Sequence, residues 1–264
     1  MSDRSIINPW LKADGLRVGH LNINHCINKT TEISSILTNS GKNFHIFGFS
    51  ESRLSTAISD SDISFPGYNI IRRDPIQSRE TGLLLYIHQS IRFLRIMSLE
   101  QQNVETVWVE IQVKYYKPFL ICFLYRNPAE RIDWIDRFNS MMDHAYDQSK
   151  DIIILGDFNI DLLKDNNQWT RTFQSFGLTQ LIQSPTRITN ISETLIDHLY
   201  VTDKKKLLLK QMFLYLVVAI IFLFVSRGRK KVLRFLNYTT KQLHLEISPN
   251  SIVKNFSSTF YFHL

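Results

Sequence analysis

Five short stretches of the sequence end an apolar segment with side chains that could bind a metal ion or a phosphate. They are HLNIN (20–24), GFSE (48–51), FLYR (123–126), LGDFN (155–159) and TLIDH (194–198). The oxygen atoms of Glu, Asp and Asn side chains suit a hard cation such as Mg²⁺ rather than zinc. If the strands end close together, these stretches predict metal-assisted chemistry on a negatively charged substrate.

The stretch IIILGDFNID (152–161) shows how one strand could position such groups. Its short, β-branched apolar run is typical of a strand that is covered on both faces. Side chains alternate along an extended chain, so Asp157 and Asn159 point to one side and Phe158 to the other. Gly156 permits a close approach of another chain, or a bulge, where the strand leaves the core. Alone, the stretch would equally suit a strand that ends in an Asx turn, and only the full set of five favours a site.

The elements that must position these residues are many short strands and a few helices. Strands are predicted at 16–22, 44–51, 67–74, 82–88, 91–97, 105–113, 118–128, 152–159 and 194–202, and helices at 30–41, 132–149 and 166–178. In the second helix, Ile135, Phe138, Met142 and Tyr146 recur at helical spacing and are predicted to be core. Runs of strands with few helices indicate two sheets packed on each other, with the helices outside.

The order LNIN, SE, YR, GDFN, IDH resembles the endonuclease/exonuclease/phosphatase superfamily. More closely, it resembles the apurinic-endonuclease-like domain of non-LTR (LINE-type) retrotransposons, over residues 16 to about 203. The resemblance implies an α/β fold, a four-layer α/β sandwich of two packed mixed β-sheets flanked by helices. It also implies cleavage of phosphodiesters with Mg²⁺, for which Mn²⁺ is an alternative, and DNA as the partner.

Five of the implied roles concern the first three motifs. Glu51 matches the metal-binding carboxylate, and Asn22 matches the first Asn of the family, near metal and phosphate, with Asn24 beside it. Tyr125 would contact the scissile phosphate, and Arg126, the next residue, would contact substrate.

The other five implied roles concern the last two motifs and the segment between them. Asp157 would orient or deprotonate the attacking water, and Asn159 would hold a phosphate oxygen. Asp197 resembles the Asp that orients a catalytic histidine, with Thr194 in the usual Ser/Thr position before it. Thr186 is a candidate contact to the nucleic acid.

The chain departs from the family pattern after residue 203. Family members carry a Ser-Asp-His motif some 20 to 30 residues after the IDH strand, and this sequence contains none. His198 is not a substitute, because alternation along the strand points it away from the face of Asp197. We therefore expect a sandwich without its last strand or strands, and low or absent activity. One hypothesis is that the coding sequence leaves the family's frame after about Asp203. A non-catalytic nucleic-acid-binding remnant is the alternative.

The sequence divides into an N-terminal extension (1–15), the endonuclease-like domain (16–203) and a basic, apolar tail (204–264). The tail carries 11 of the 31 Lys and Arg residues and one of the 24 acidic residues, so the net charge of +7 comes from the tail. DNA binding by the endonuclease-like domain must therefore depend on local charge.

Residues 212–225 are 14 consecutive apolar residues, fewer than the roughly 20 that span a bilayer. Extension to 207–225 gives a candidate membrane span, and with it a membrane-anchored phosphatase-like protein as a further alternative.

The two cysteines, Cys26 and Cys122, have no partner spacing that would suit zinc or a disulfide framework, which indicates a reducing compartment. Residues 1–15 contain no apolar segment of the kind found in secretory signals. We expect an intracellular protein, in the nucleus or the cytoplasm, and no obligate protein partner is evident.

Overall fold

The computed structural model describes residues 16–38, 43–77, 80–113, 117–131, 133–164, 167–189 and 191–202. It also describes the backbone of 217–225, 231–238 and 258–261. The helices are α1 (Thr30–Thr38), α2 (Trp134–Tyr146) and α3 (Asn167–Ser175). The strands are β1 (Arg17–Asn22), β2 (Ile46–Ser50), β3 (Tyr68–Arg73), β4 (Leu83–His88), β5 (Arg92–Arg95), β6 (Glu105–Gln112), β7 (Phe119–Tyr125), β8 (Ile152–Asp157), β9 (Leu178–Gln180), β10 (Arg187–Ile188), β11 (Glu193–Thr194), β12 (Asp197–Thr202), β13 (Val217–Val225), β14 (Lys231–Tyr238) and β15 (Ser258–Tyr261).

The strands form two mixed sheets and one small hairpin. The first sheet has the order β15-β14-β13-β1-β2-β4-β3, and the second has the order β5-β6-β7-β8-β12-β9. β1 and β2 are parallel, as are β7 and β8, whereas β12 runs antiparallel to β8. Strands β10 and β11 pair with each other as a separate hairpin.

Three buried apolar clusters separate four layers of secondary structure. One cluster fills the space between the two sheets, a second lies between the first sheet and α1, and a third lies between the second sheet and α2 and α3. β6 shows how this follows from sequence: Val107 and Val109 enter the cluster between the sheets, and Trp108 enters the cluster under the helices. The predicted four-layer α/β sandwich is confirmed.

Gly156 is required by the parallel pairing of β7 and β8. It lies opposite Leu124, and a Cβ atom on residue 156 would be 1.8 Å from the Leu124 carbonyl oxygen. The sequence predicted either a close approach of another chain or a bulge at Gly156, and the structure has the close approach. This contact sets the spacing of the two strands just before they end at Tyr125 and Asp157.

The tail differs from expectation in its strands. The sequence predicted that the last strand or strands of the sandwich are missing, yet the backbone of 217–225 lies parallel to β1 as β13, followed by β14 and β15. The edge of β1 is therefore paired, but by a segment that contains no Ser-Asp-His.

The candidate membrane span at 207–225 falls partly on this strand, and its residues 207–216 lie outside the described residues. Within the part of the chain that the structure describes, no helix is both long and apolar enough to cross a bilayer.

Candidate active site

The predicted site residues come together because four strands end at one side of the sandwich and a fifth begins there. Asn22 ends β1, and Ser50, its partner on β2, is followed by Glu51. On the second sheet, Asp157 lies opposite both Tyr125 on β7 and Asp197 on β12. The site is thus built from both sheets.

Asn22 joins the two halves of the site. Its Nδ2 donates to Glu51 Oε1 at 2.7 Å and to Asp157 Oδ2 at 2.9 Å. Its Oδ1 accepts a hydrogen bond from the backbone N–H of Asn24 at 3.1 Å. Because one amide holds two carboxylates that lie 106 residues apart in sequence, Asn22 sets the distance between the metal-ligand candidate and the candidate base.

Glu51 receives two further hydrogen bonds. The Tyr125 hydroxyl donates to Oε1 at 3.2 Å, and an Arg53 guanidinium nitrogen donates to Oε2 at 3.1 Å. Burial raises the pKa of the Tyr125 hydroxyl well above its usual value, and the charge of Glu51 raises it further. Tyr125 therefore keeps its proton at neutral pH and acts as a donor.

The turn that presents Glu51 is held by Thr81 and Gly82. These two residues are held by Glu105, which the sequence did not single out. Glu51 and Arg53 both have positive φ, 52° and 50°, a conformation that costs energy for residues with a side chain. The following backbone is held by hydrogen bonds from Ser52 N to the Gly82 carbonyl, at 3.1 Å, and from Arg53 N to the Thr81 carbonyl, at 2.7 Å.

Glu105, at the start of β6, fixes the backbone of residues 81 and 82 by hydrogen bonds. Its carboxylate accepts from the backbone N–H groups of Thr81 and Gly82. Burial raises its pKa to about 7, even though these hydrogen bonds lower it. A glutamate that begins a buried strand is the only sequence signal of this role.

Asp157 is the most buried carboxylate of the site, with 3% of its surface exposed. Burial raises its pKa well above the usual value, and the charge of Asp197 adds to the increase. Hydrogen bonds from the Asn22 side chain and the Asn159 backbone oppose this rise. A carboxylate in such surroundings holds a proton more tightly than a solvated one, which suits a base.

Asn159 closes the turn after β8. Its φ is 50°, its backbone N–H donates to Asp157 Oδ1 at 3.0 Å, and its Nδ2 donates to the Arg126 carbonyl at 2.9 Å. The side chain therefore joins the ends of β7 and β8, beside Asp157.

Arg126 follows β7, and its side chain contacts residues of α2 and α3. Its guanidinium packs against the rings of Trp169, at 4.9 Å, and Trp134, at 5.6 Å, and donates to the Glu130 carbonyl. Only 6% of the residue is exposed, and burial lowers its pKa. In this geometry Arg126 anchors the chain after β7 to α2 and α3.

Thr186 and Thr194 support the start of β12. The Thr186 hydroxyl accepts from the backbone N–H groups of Ile196 and Asp197, both at 3.0 Å. The Thr194 carbonyl accepts from Thr186 N at 2.8 Å. Because Thr186 is 1% exposed, its side chain here fixes the backbone of Asp197.

Two histidines lie near Asp197 on opposite faces of its strand. His198 stacks on Phe158 with ring centroids 4.6 Å apart, and its Nε2 lies 2.8 Å from the Ile160 carbonyl. His20, which was not among the predicted residues, lies between the sheets with Nδ1 3.5 Å from Asp197 Oδ1. Its signal in the sequence is its place two residues before Asn22, on the same face of β1.

The chemistry of the donor set fits Mg²⁺ held through few protein ligands. Mg²⁺ in phosphoryl-transfer sites uses one or two carboxylates together with waters and the substrate phosphate. Glu51 can supply one, since its side chain is 18% exposed and its Oε2 pairs with Arg53, whose side chain is half exposed. The Asn22 amide presents its nitrogen to Glu51 and its oxygen to Asn24. Among the described residues, no group of three or more His, Cys, Asp or Glu side chains could hold a metal ion.

Comparisons with known proteins identify the fold. No protein-family model matches the chain, and no curated protein matches it. Among solved structures, the endonuclease domain of TRAS1, a telomere-specific non-LTR retrotransposon, superimposes with a TM-score of 0.54 at 14% identity, covering 72% of this chain and 86% of that one. The AP endonuclease LMAP from Leishmania major gives 0.53 at 10% identity, with coverage of 70% and 78%. The Xenopus laevis APE2 catalytic domain gives 0.50 at 16% identity, with coverage of 71% and 82%.

These similarities agree with the two mixed sheets and the outer helices described above. The chain therefore has the fold of the endonuclease/exonuclease/phosphatase structures.

Proposed function

We propose that this chain is a Mg²⁺-dependent phosphodiester hydrolase of the DNA-endonuclease type, derived from a non-LTR retrotransposon. The observation that carries the proposal is the convergence on Asn22 of Glu51 and Asp157, with Tyr125 on the same Glu51 oxygen. A cluster of one partly exposed carboxylate, one buried carboxylate with a raised pKa and a neutral phenol suits phosphodiester hydrolysis. The order of the motifs and the fold of the TRAS1 endonuclease domain support the choice of DNA.

Each residue then has a defined task. Glu51 would hold Mg²⁺, which would neutralise charge that develops on the phosphate oxygens. Asp157 aligns the attacking water and accepts its proton. The Tyr125 hydroxyl, which stays protonated, would turn from Glu51 Oε1 to donate to a phosphate oxygen. Asn22 holds the two carboxylates on one amide nitrogen, while Asn159 fixes the Asp157 carboxylate through its backbone N–H.

We expect this activity to be weaker than that of enzymes with a complete set of motifs. The sequence has no Ser-Asp-His, and both histidines beside Asp197 are fully buried, so neither can act on the phosphate. Loss of a general acid or base costs on the order of 10²–10⁴ in rate.

A supercoiled-plasmid nicking assay with Mg²⁺ tests the proposal. We expect slow nicking by the full chain and none by Asp157→Ala or Glu51→Ala. Asp143→Ala, which removes an exposed carboxylate on α2, is the matched control and should nick like the unmodified chain.

The outcomes separate the alternatives. Equal nicking by all four proteins would reveal a contaminating nuclease and contradict the assignment of the site. No nicking by a folded chain that still binds a DNA duplex would favour the non-catalytic remnant.

A further inference from the structure

A line of polar side chains crosses the apolar space between the two sheets below the site. Ser50 on β2 lies 3.2 Å from His20 on β1, measured from Oγ to Nε2. His20 Nδ1 then lies 3.5 Å from Oδ1 of Asp197 on β12. Ser50 and His20 are fully buried, and Asp197 is 9% exposed.

With a neutral imidazole, the polar atoms of this line favour one arrangement of hydrogens. A neutral imidazole has one N–H and one acceptor nitrogen. Nδ1 makes no hydrogen bond with any described atom, and the Asp197 carboxylate oxygen at 3.5 Å is the polar group it faces. If Nε2 carried the hydrogen, the Nδ1 lone pair would face this carboxylate and the two would repel. If Nδ1 carries it, the N–H faces the carboxylate with favourable charge, and Nε2 accepts from the Ser50 hydroxyl.

We propose that His20 is the positioning residue for Asp197: anchored by Ser50, it holds the Asp197 carboxylate beside Asp157 through its Nδ1–H. The proposal rests on the proposed function for its catalytic meaning. His20 does not touch substrate, because it is fully buried. It acts through Asp197, whose backbone is fixed by Thr186 and whose carboxylate His20 faces at 3.5 Å.

The tautomer of His20 tests the proposal without any assay of activity. Two-dimensional ¹H–¹⁵N spectra of the ¹⁵N-labelled full chain distinguish Nδ1–H from Nε2–H imidazoles. We expect the Nδ1–H form for His20. His198 is an internal control of the opposite kind, because its Nε2 faces two carbonyl oxygens and its Nδ1 faces the Tyr200 hydroxyl. An Nε2–H form for His20 would overturn the proposal.

The variant Asp197→Ala shows whether the tautomer depends on the carboxylate. Once the acceptor is removed, Nε2–H can donate to Ser50 instead, so we expect the His20 signals to change to the Nε2–H pattern while those of His198 stay as they are. An Nδ1–H form that persists in Asp197→Ala would show that Ser50 and the packing alone set the tautomer, and would contradict the proposal.

Two substitutions of His20 then measure its effect on the reaction. Asn carries a side-chain N–H near the position of Nδ1, whereas Gln carries one near the position of Nε2. We expect His20→Asn to keep kcat within about threefold and His20→Gln to lower it by about 10- to 100-fold, the range typical of residues that orient a functional group. KM should change little in both.

The reverse order, with Gln active and Asn impaired, would contradict the proposal. Thermal unfolding of both variants checks that they fold. If the unmodified chain does not nick DNA at all, the proposed function fails, whereas the tautomer of His20 still decides whether the Ser50–His20–Asp197 line exists.

Discussion

Replacement of Glu105 by Gln should change how the stability of the protein depends on pH. Burial raises the pKa of Glu105 to about 7 from its ordinary 4.5, so the folded chain binds this proton more tightly than the unfolded chain. Its contribution to the free energy of unfolding is therefore fully present below about pH 4.5 and is lost as the pH rises through about 7. The difference between the two pKa values corresponds to about 3 kcal/mol.

The measurement is denaturant unfolding of the unmodified chain and of Glu105→Gln between pH 4.5 and 8.5. Gln does not ionise, so the unmodified chain should lose about 3 kcal/mol relative to the variant across this range. Other groups that titrate in the same range are present in both proteins, and their contributions cancel in the difference.

Glu110→Gln on the same strand is the matched control. The hydrogen bond from the Lys150 ammonium lowers the pKa of Glu110 below its ordinary 4.5, so over most of the range this carboxylate is ionised in both the folded and the unfolded chain, and its removal should change the slope little. A constant difference between Glu105→Gln and the unmodified chain from pH 4.5 to 8.5 would refute the reasoning. It would mean that the backbone N–H groups of Thr81 and Gly82 compensate fully for the burial of the charge.

Three further predictions concern the site and the strand below it. Asn22→Ala should lower the free energy of unfolding by about 1–3 kcal/mol, because two carboxylates lose a donor, and should abolish nicking; urea unfolding and the plasmid assay measure the two effects. Mg²⁺ at about 100 times its Kd should stabilise the unmodified chain by about 2.7 kcal/mol. It should leave the melting temperature of Glu51→Gln unchanged. Equal stabilisation of both proteins would exclude Glu51 as the ligand. Gly156→Ala should cost about 3 kcal/mol or more, since its Cβ would overlap the Leu124 carbonyl; a melting temperature equal to that of the unmodified chain would contradict this.

Sequence periodicity predicted the elements whose burial alternates or recurs. The strands β1 to β8 and the three helices lie within a few residues of the predicted positions, since each carries enough apolar residues to define its faces. The short strands β9, β10 and β11 were not predicted as separate strands, because two or three residues are too few to show a period. Tyr146, predicted as core, is 36% exposed at the end of α2, where the helix leaves the layer below it.

The site was predictable as a set of residue types but not as a network. Alternation placed Asp157 and Asn159 on one side of the chain, yet only the docking of the sheets shows that Asn22 joins Asp157 to Glu51. The direction of Arg126 depends on two tryptophans, Trp134 and Trp169, that lie in separate helices. Contacts between residues far apart in sequence depend on how the layers pack. The apolar and polar pattern of a single sequence does not show how the layers pack.

The division of the candidate site between two sheets has a consequence for how the site assembles. Glu51 and Asn22 belong to the first sheet, and Asp157, Tyr125 and Asp197 belong to the second. A chain in which each sheet had formed but the two had not yet met would have complete secondary structure and no candidate site. The proposed site therefore exists only once the two sheets have docked, and slippage of one sheet over the other would separate its residues before either sheet unfolded.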